Sequence, residues 1–165
     1  MMRNGKNADE LLSILENNSK LTPEALARMT GTDREDVEKK LKEYENEGVI
    51  LGYKTMIDWD KTDREYVSAL IELKITPQEG KGYEHVAEKI CKYPEVESLY
   101  LMSGSFDLAV LIEGKTMREV AFFAAEKLAT IDGVVSMSTH FVLRKYKDKG
   151  IEFGSVPTDE RGNMN

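Results

Sequence analysis

The stretch LTPEALARMTGTDREDVEKKL, residues 21–41, has the pattern of two short helices separated by a tight turn. Thr22 is a good N-cap residue because its hydroxyl accepts a hydrogen bond from a free amide at the helix start. Pro23 suits the first helical position, where the missing N–H is not needed. Gly31 then ends this helix, since glycine readily adopts the left-handed conformation found after a helix C-terminus.

The second of the two helices is predicted to begin at Thr32, which has Glu35 three residues later, the spacing of a capping box. Val37, Leu41 and Tyr44 recur at helical spacing and form the apolar face of this helix. Two short helices joined by a tight turn predict a helix-turn-helix.

A preceding helix and a following β-prone run complete the first domain. Asn7 and Glu10 form another capping box, which predicts a first helix there. VILGYKTMID, residues 49–58, is typical of a wing or a connecting strand. We therefore predict a winged helix-turn-helix DNA-binding domain over residues 1–58, followed by the polar linker WDKTDREY over residues 59–66.

The rest of the chain alternates between strand and helix patterns. VSALIELKI, residues 67–75, has apolar residues at every second position, and it is followed by the turn TPQEGKG, a helix, two strands, a second helix and a long last strand. The order βαββαβ predicts a ferredoxin-like domain over residues 67–147, with a four-stranded antiparallel sheet and both helices on one side. The fold class is therefore α+β. The tail, residues 148–165, is predicted to be irregular or disordered.

The open face of this sheet needs a cover. Apolar residues point to both faces, for example Leu99 and Leu101 to one and Tyr100 and Met102 to the other. A second copy of the chain is the simplest cover for the face that the helices leave bare.

Composition limits the classes of function. The formal net charge of −7 argues against a polycation that coats DNA, but it is compatible with a local basic face. Cys91 is the single cysteine and lies in an apolar-periodic segment, so we expect a half-buried structural thiol. The sequence suggests neither a metal site nor a cofactor, and no run is apolar enough to cross a membrane. Without a secretory signal pattern, a cytoplasmic location is expected.

The combination of motifs resembles the Lrp/AsnC transcription factors, the leucine-responsive regulatory protein and asparagine-regulator group. The resemblance covers about residues 7–147 and rests mainly on GVILGYKTMID, MSGSFDLAVLIEG and IDGVVSMSTHFVLRKYK. It implies a C-terminal domain that dimerises through its sheet, assembles in some members into octamer-like rings, and binds small effectors, frequently amino acids, where dimers meet.

Carried over by position, the resemblance gives a candidate effector site. The family's Gly-x-x-Asp loop matches Gly104 and Asp107, with Ser103 before it, and Thr139 matches one threonine of a Thr-x-Thr pattern. Met137 occupies the other threonine position, where a thioether replaces a hydroxyl. Two simpler interpretations stay open: that Asp107 caps exposed amides, and that Thr139 is a packed sheet residue.

The candidate DNA contacts are basic residues of an acidic domain. Residues 1–57 hold nine Lys and Arg against eleven Asp and Glu, so the domain gains no general attraction to phosphates. Part of the acidity is explained by acid-to-base spacing of four residues along the third helix, as from Glu38 to Lys42. The candidate contacts to double-stranded DNA are Arg28, Arg34, Glu35, Lys39, Lys40, Lys42 and Lys54.

Two other functions compete with a DNA-binding regulator. One is a ligand sensor or assembly module whose helix-turn-helix has become a protein-contact surface. The other is an enzyme similar to the sirohaem decarboxylases, which share the two-domain layout, but their His- and Arg-rich active-site segments have no counterpart here. The sequence favours a non-enzymatic regulator that works as a homodimer or an octamer.

Overall fold

The structure, a computed structural model, describes residues 4–77 and 82–154. The chain forms two compact units, Met1–Met56 and Ile57–Asn165. The centre of the predicted turn TPQEGKG, residues 78–81, and the end of the predicted tail, residues 155–165, lie outside the described residues. Within the described ranges, no helix is long and apolar enough to cross a membrane.

The first unit contains three helices: α1 Asn4–Asn17, α2 Pro23–Thr30 and α3 Arg34–Asn46. They share one small core, formed by Leu11, Leu15, Leu26, Ala27, Val37 and Tyr44. Helix α1 begins at Asn4, so Asn7 lies inside the helix and the predicted capping box at Asn7 and Glu10 is wrong.

The start of α3 also differs from the prediction. The N-cap position is held by Asp33, and the Thr32 hydroxyl lies 2.8 Å from the Thr30 hydroxyl. Thr30 in turn donates to the Leu26 carbonyl oxygen at 2.9 Å. Thr32 is therefore part of the turn that closes α2 and not the cap of α3.

The predicted wing or connecting strand is absent from the described segment 51–58, which has no regular secondary structure. Leu51 is 93% exposed and Tyr53 is 54% exposed. A single extended segment leaves its backbone amides and carbonyls unpaired, so a β-prone run forms a strand only where another strand lies beside it. The Tyr53 hydroxyl donates to Glu45 of α3 at 3.0 Å.

The second unit begins with the segment that was predicted to be a linker. Trp59–Lys61 forms a 3-10 turn, and the Arg64 guanidinium lies 4.2 Å from the centre of the Trp59 ring. The following elements are β1 Val67–Ile75, α4 Glu84–Ile90, β2 Val96–Leu101, β3 Leu108–Gly114, α5 Met117–Phe123 with a π-helical turn at Ala124–Leu128, and β4 Val134–Phe141.

These strands form one antiparallel sheet in the order β2-β3-β1-β4, which confirms the predicted ferredoxin-like topology. One face packs on both helices: the core contains Ile71 and Leu73 of β1, Val86 and Ile90 of α4, and Val120 of α5. From Ala69 to Ile75 the residues of β1 alternate in burial, as the sequence predicts.

The other face of the sheet is open in the single chain. It carries Leu70 and Glu72 of β1, Leu111 of β3, Tyr100 of β2 and His140 of β4, as the strand register shows. Tyr100 is 56% exposed. This face carries apolar side chains, as the sequence predicts, together with the polar Glu72 and His140.

The last strand is shorter than predicted. β4 ends at Phe141, opposite Ala69, because its partner β1 begins only two residues earlier, at Val67. The described start of the predicted irregular tail instead forms a short hairpin, β5 Lys147–Asp148 and β6 Ile151–Glu152. Phe153 after it is buried. The tail prediction was wrong for this hairpin.

Cys91 is exposed at the C-terminal end of α4, so the predicted half-buried thiol is also wrong. The apolar period of this helix ends with the buried Ile90. Cys91 follows it on the solvent side.

Candidate nucleic-acid interface and effector loop

The helix-turn-helix geometry is set by local bonds around α2. The Thr22 hydroxyl accepts a hydrogen bond from the Ala25 amide at 3.3 Å, and Pro23 is the first helical residue. Gly31 has a φ of 66°, the left-handed conformation, and its amide donates to the Ala27 carbonyl oxygen. This conformation strains residues with a Cβ and leaves glycine unstrained, so the turn depends on Gly31.

Helix α3 points its basic residues away from the core. Val37 and Tyr44 are buried on one side, whereas Glu35, Lys39 and Lys42 are exposed. Within the described part of the chain neither Lys39 nor Lys42 has an ion pair. Glu35 is exposed to solvent, and Glu38 pairs with Arg34 instead of Lys42. Their ammonium groups therefore remain available to phosphate oxygens.

Arg34, the first residue of α3, has two carboxylate partners. Its Nη1 lies 2.7 Å from Glu24 Oε1 of α2, and its Nε donates to Glu38 Oε1 of α3 at 2.7 Å. The hydrogen bond to Glu38, followed by the charges of Glu24 and Glu38, raises the pKa of Arg34. The predicted pairing of Glu38 with Lys42 is replaced by this pairing with Arg34.

The other candidate DNA residues have different surroundings. Lys40 pairs with Glu43 at 3.5 Å and lies 5.7 Å from the centre of the Tyr44 ring, so it is partly occupied within α3. Arg28 is exposed near the end of α2, and Lys54 is exposed in the irregular segment after α3. The strongest cluster of available positive charge is therefore Lys39 and Lys42.

In the second unit, Asp107 joins three elements where β1 ends. Its Oδ2 accepts a hydrogen bond from the Ile75 amide at 2.7 Å, and its Oδ1 lies 3.4 Å from the Tyr83 hydroxyl, which donates to it. Its own amide donates to the Leu73 carbonyl oxygen, and its carbonyl oxygen accepts from the Met102 amide. The interpretation that Asp107 caps amides thus describes its contacts in this structure.

The remaining candidate effector residues fall into two places. Ser103 and Gly104 are exposed in the loop before Asp107, where Gly104 has a φ of 150°. Thr139 lies on β4 and pairs with Ile71 of β1, whereas Asp107 lies on the other side of β1, where its amide donates to the Leu73 carbonyl oxygen. Strand β1 therefore separates Thr139 from Asp107. Adjacent strands lie about 4.8 Å apart, which puts Thr139 and Asp107 more than about 9 Å from each other. Their side chains are too far apart in one chain to hold a single ammonium group together.

A cavity of about 660 Å³ lies at the other end of β1. Its lining includes Tyr66, Glu95, Glu113, Gly114 and Glu119, and Gly114 pairs with Val67, the first residue of β1. Six acidic residues and two basic ones, Arg64 and Lys115, line this cavity. The excess of negative charge disfavours the carboxylate of an amino acid there.

Sequence reasoning did not identify Tyr83, Ile75 or Glu24 as parts of these sites. Tyr83, at the N-cap of α4, is partly buried against the core, and its hydroxyl reaches Asp107. The amide of Ile75 is a backbone group and has no signal in residue identity. Glu24 had a weak signal, because it is an acid in the first turn of α2 and only three residues separate α2 from α3, which begins at Arg34.

His140 has a serine and a glutamate nearby, but their arrangement is not that of a catalytic triad. His140 Nε2 lies 3.2 Å from Ser138 Oγ and 3.6 Å from Glu72 Oε2. A serine, histidine and acid triad requires the hydroxyl and the carboxylate on opposite ring nitrogens, and here both contact the same nitrogen. Among residues 4–77 and 82–154, no group of three or more His, Cys, Asp and Glu is arranged to hold a metal ion.

Comparison with known proteins agrees with this fold. Residues 68–151 match the Lrp/AsnC ligand binding domain. The chain is 46% identical over 153 residues to YugG, an HTH-type transcriptional regulator of Bacillus subtilis, with 92% of each chain covered. It is 24% identical over 142 residues to a proline dehydrogenase transcriptional activator of Rhizobium radiobacter, covering 86% of this chain and 90% of that one.

Solved structures share the two-part architecture. A transcriptional regulator of Neisseria meningitidis, solved in complex with L-Met, has a TM-score of 0.71 at 22% identity and covers 96% of this chain and 99% of its own. Escherichia coli AsnC has a TM-score of 0.67 at 18% identity, covering 91% and 99%. These structures show the fold, and the match over residues 68–151 together with the 46% identical relative shows the family. The chain belongs to the Lrp/AsnC family of HTH-type transcriptional regulators.

Proposed function

We propose that this protein binds double-stranded DNA through α3, acts as a homodimer or a larger ring such as an octamer, and responds to a small amino-acid-like effector at the loop Gly104–Asp107. The observation that supports DNA binding best is the outward face of α3, which presents Lys39 and Lys42 opposite the buried Val37 and Tyr44. The proposed activity is regulated binding and not catalysis.

The charge of the first unit predicts weak binding by one copy. In residues 1–57, eleven acidic residues outnumber nine basic ones. The unit as a whole is therefore not attracted to DNA, and only a few local contacts between lysine or arginine and phosphate favour binding. Several linked copies raise the effective concentration of each helix-turn-helix near its DNA site. We therefore expect affinity for DNA to depend strongly on oligomerisation.

The open sheet face supports a homodimer. Leu70, Leu111 and Tyr100 lie on the face opposite to the helices, where Ala109 between them is already buried. A face of this kind on an antiparallel sheet is stabilised by burying it against a matching surface. A second copy presents the same residues in a two-fold arrangement.

The effector proposal rests on Asp107 and the adjacent loop. Oδ2 is engaged by the Ile75 amide, but among the described residues Oδ1 has only the longer contact to Tyr83, so it retains capacity to accept from an ammonium group. The exposed Ser103 supplies a hydroxyl in the loop that precedes Asp107. Thr139 takes part from a neighbouring subunit, because β1 separates it from Asp107 within one chain. The L-Met in the structurally similar Neisseria meningitidis regulator supports an amino acid as the ligand class.

The DNA proposal is tested by titrating the intact oligomer with its own upstream DNA at several salt concentrations. We expect saturable binding at low salt that weakens as salt rises. Absence of saturable binding at low salt, with the oligomer intact by sedimentation, contradicts the proposal and supports the competing view of the helix-turn-helix as a protein-contact surface.

The effector proposal is tested by a thermal-shift screen of the amino acids on the wild type and on Asp107→Asn. Asparagine keeps an oxygen acceptor for the Ile75 amide but removes the negative charge that an ammonium group needs. A ligand that stabilises the wild type should lose most of its effect on Asp107→Asn. An equal shift in both proteins places the ligand elsewhere.

A further inference from the structure

Arg34 is bound from two helices before any DNA is present. Glu24 reaches it from the first turn of α2, across the turn of the helix-turn-helix, and Glu38 reaches it from the next turn of α3. Both N···O distances are 2.7 Å, although all three side chains are partly exposed. The guanidinium is thus held in one orientation at the start of α3.

The two contacts leave part of the guanidinium unused. An arginine side chain has five N–H donors in a planar fork, and here the Nε donor and one Nη1 donor point to carboxylates. Within residues 4–77 and 82–154, the donors on Nη2 and the second one on Nη1 have no carboxylate partner. Two parallel donors are what a guanine base requires at its O6 and N7 acceptors.

The same carboxylates also remove the electrostatic reason for Arg34 to bind a phosphate. Phosphate binding gains mainly from uncompensated positive charge, which releases counterions from the DNA. Two carboxylates within 2.7 Å compensate the single charge of Arg34, whereas Lys39 and Lys42 have no ion pair within the described residues. Phosphate contact is therefore left to the lysines.

We propose that Glu24 and Glu38 are specificity-determining residues, which make Arg34 a reader of a base edge and prevent it from binding phosphates of any sequence. This inference rests on the proposed DNA binding by α3. It agrees with the position of Arg34, because residues at the start of a recognition helix contact base edges. The acids also repel the DNA wherever Arg34 finds no matching base, which disfavours wrong sites.

The test compares affinities for two DNA duplexes of equal length. One is enriched from a random-sequence library by the wild-type protein, and the other is a scrambled version of it. The variants are Arg34→Ala, the pair Glu24→Gln and Glu38→Gln, and all three changes together. A matched control carries Glu10→Gln and Glu16→Gln, which change the net charge equally but lie on exposed positions of α1. Circular dichroism melting checks that each variant is folded.

We expect Arg34→Ala to weaken binding to the enriched duplex about tenfold and to change binding to the scrambled duplex less than about twofold. The Glu24→Gln and Glu38→Gln pair should strengthen binding to the scrambled duplex about threefold and steepen its salt dependence by about 0.9 in log–log slope, the value for one more phosphate contact. Arg34→Ala in that background should reverse both changes. The control on α1 should leave the slope unchanged.

Two results overturn the inference. One is an equal loss on both duplexes for Arg34→Ala, which identifies Arg34 as an ordinary phosphate contact. The other is an unchanged salt slope in the Glu24→Gln and Glu38→Gln pair, or the same change in the α1 control. Arg34→Lys provides a second measurement, because lysine keeps the charge but lacks the fork, and it should lose discrimination as Arg34→Ala does. If wild-type protein fails to bind either duplex at low salt, the proposed function itself fails.

Discussion

The Asp107 carboxylate takes the place of a backbone carbonyl at the end of the β1–β3 pair: its Oδ2 accepts from the Ile75 amide at 2.7 Å. The regular pairing ends at Leu73 and Leu108, so the next amide of β1 on this side has no strand partner. Asp107 satisfies it and also contacts Tyr83 at the start of α4. A residue expected to bind an effector is thus also part of the framework of the domain.

We therefore expect Asp107→Ala to lower the free energy of unfolding by about 1–3 kcal/mol, the cost of leaving a buried amide without an acceptor. Asp107→Asn should lose much less, because its side-chain oxygen can still accept from Ile75. Urea denaturation of both variants measures the difference. Equal destabilisation by alanine and asparagine would show that the Ile75 contact does not contribute.

Removing the hydroxyl of Tyr44 should stabilise the protein. Its ring is in the core of the first unit, and within the described residues its buried hydroxyl oxygen has no hydrogen-bond partner. Tyr44→Phe should therefore raise the free energy of unfolding by about 1 kcal/mol. Tyr53→Phe is the matched control, since that hydroxyl donates to Glu45 and its loss should slightly destabilise. A loss of stability in Tyr44→Phe would contradict this account of the core.

Dimerisation through the open sheet face predicts a position-specific effect of an added charge. Tyr100 lies on that face and is 56% exposed, and Phe122 on α5 is 49% exposed. Tyr100→Asp should shift the dimer towards monomer in sedimentation velocity, because a charge buried without a partner strongly disfavours association. Phe122→Asp should leave the dimer intact. If the two variants behave alike, the open face is not the interface.

The ion pair between Glu24 of α2 and Arg34 of α3 should weaken at acidic pH. Hydrogen bonds from its own amide and from Thr22, together with the nearby charges of Arg34 and Arg28, lower the pKa of Glu24 below its ordinary value of 4.5. A carboxylate whose pKa is lowered in the folded state contributes stability above its unfolded pKa and loses it as the pH falls through the folded value. The difference in unfolding free energy between wild type and Glu24→Gln should stay constant from about pH 7 to about pH 5 and shrink below about pH 4.5. A difference that grows in acid would contradict this sign.

The fold was largely predictable because its signals are local and repeated. Thr22, Pro23 and Gly31 set the limits of α2, and the period-two pattern of β1 defined the central strand. The segment after α3 has the composition of a strand but no partner strand in its own chain, so composition alone led to a wrong prediction. The end of β4 was similarly set by where β1 begins and not by any residue of β4.

The sites were less predictable because their contacts cross between elements. Arg34 was recognised as a candidate, but its partner Glu24 belongs to another helix. Asp107 was recognised from the family pattern, while its main partner is the backbone amide of Ile75, which no side-chain pattern marks. Cys91 was predicted to be half-buried but is exposed, because it follows the buried Ile90 and one step along a helix turns a side chain from the core towards solvent.

Salt-dependent DNA binding by the intact oligomer, compared between wild type and the double variant Lys39→Ala and Lys42→Ala, tests the central claim most directly. If these two lysines of α3 contact phosphates, the log–log slope of affinity against salt should become shallower by roughly two units, and low-salt affinity should fall at least about tenfold. Folding and oligomeric state should not change, because both side chains are exposed. Undiminished binding with the wild-type slope would show that α3 does not read DNA through this face.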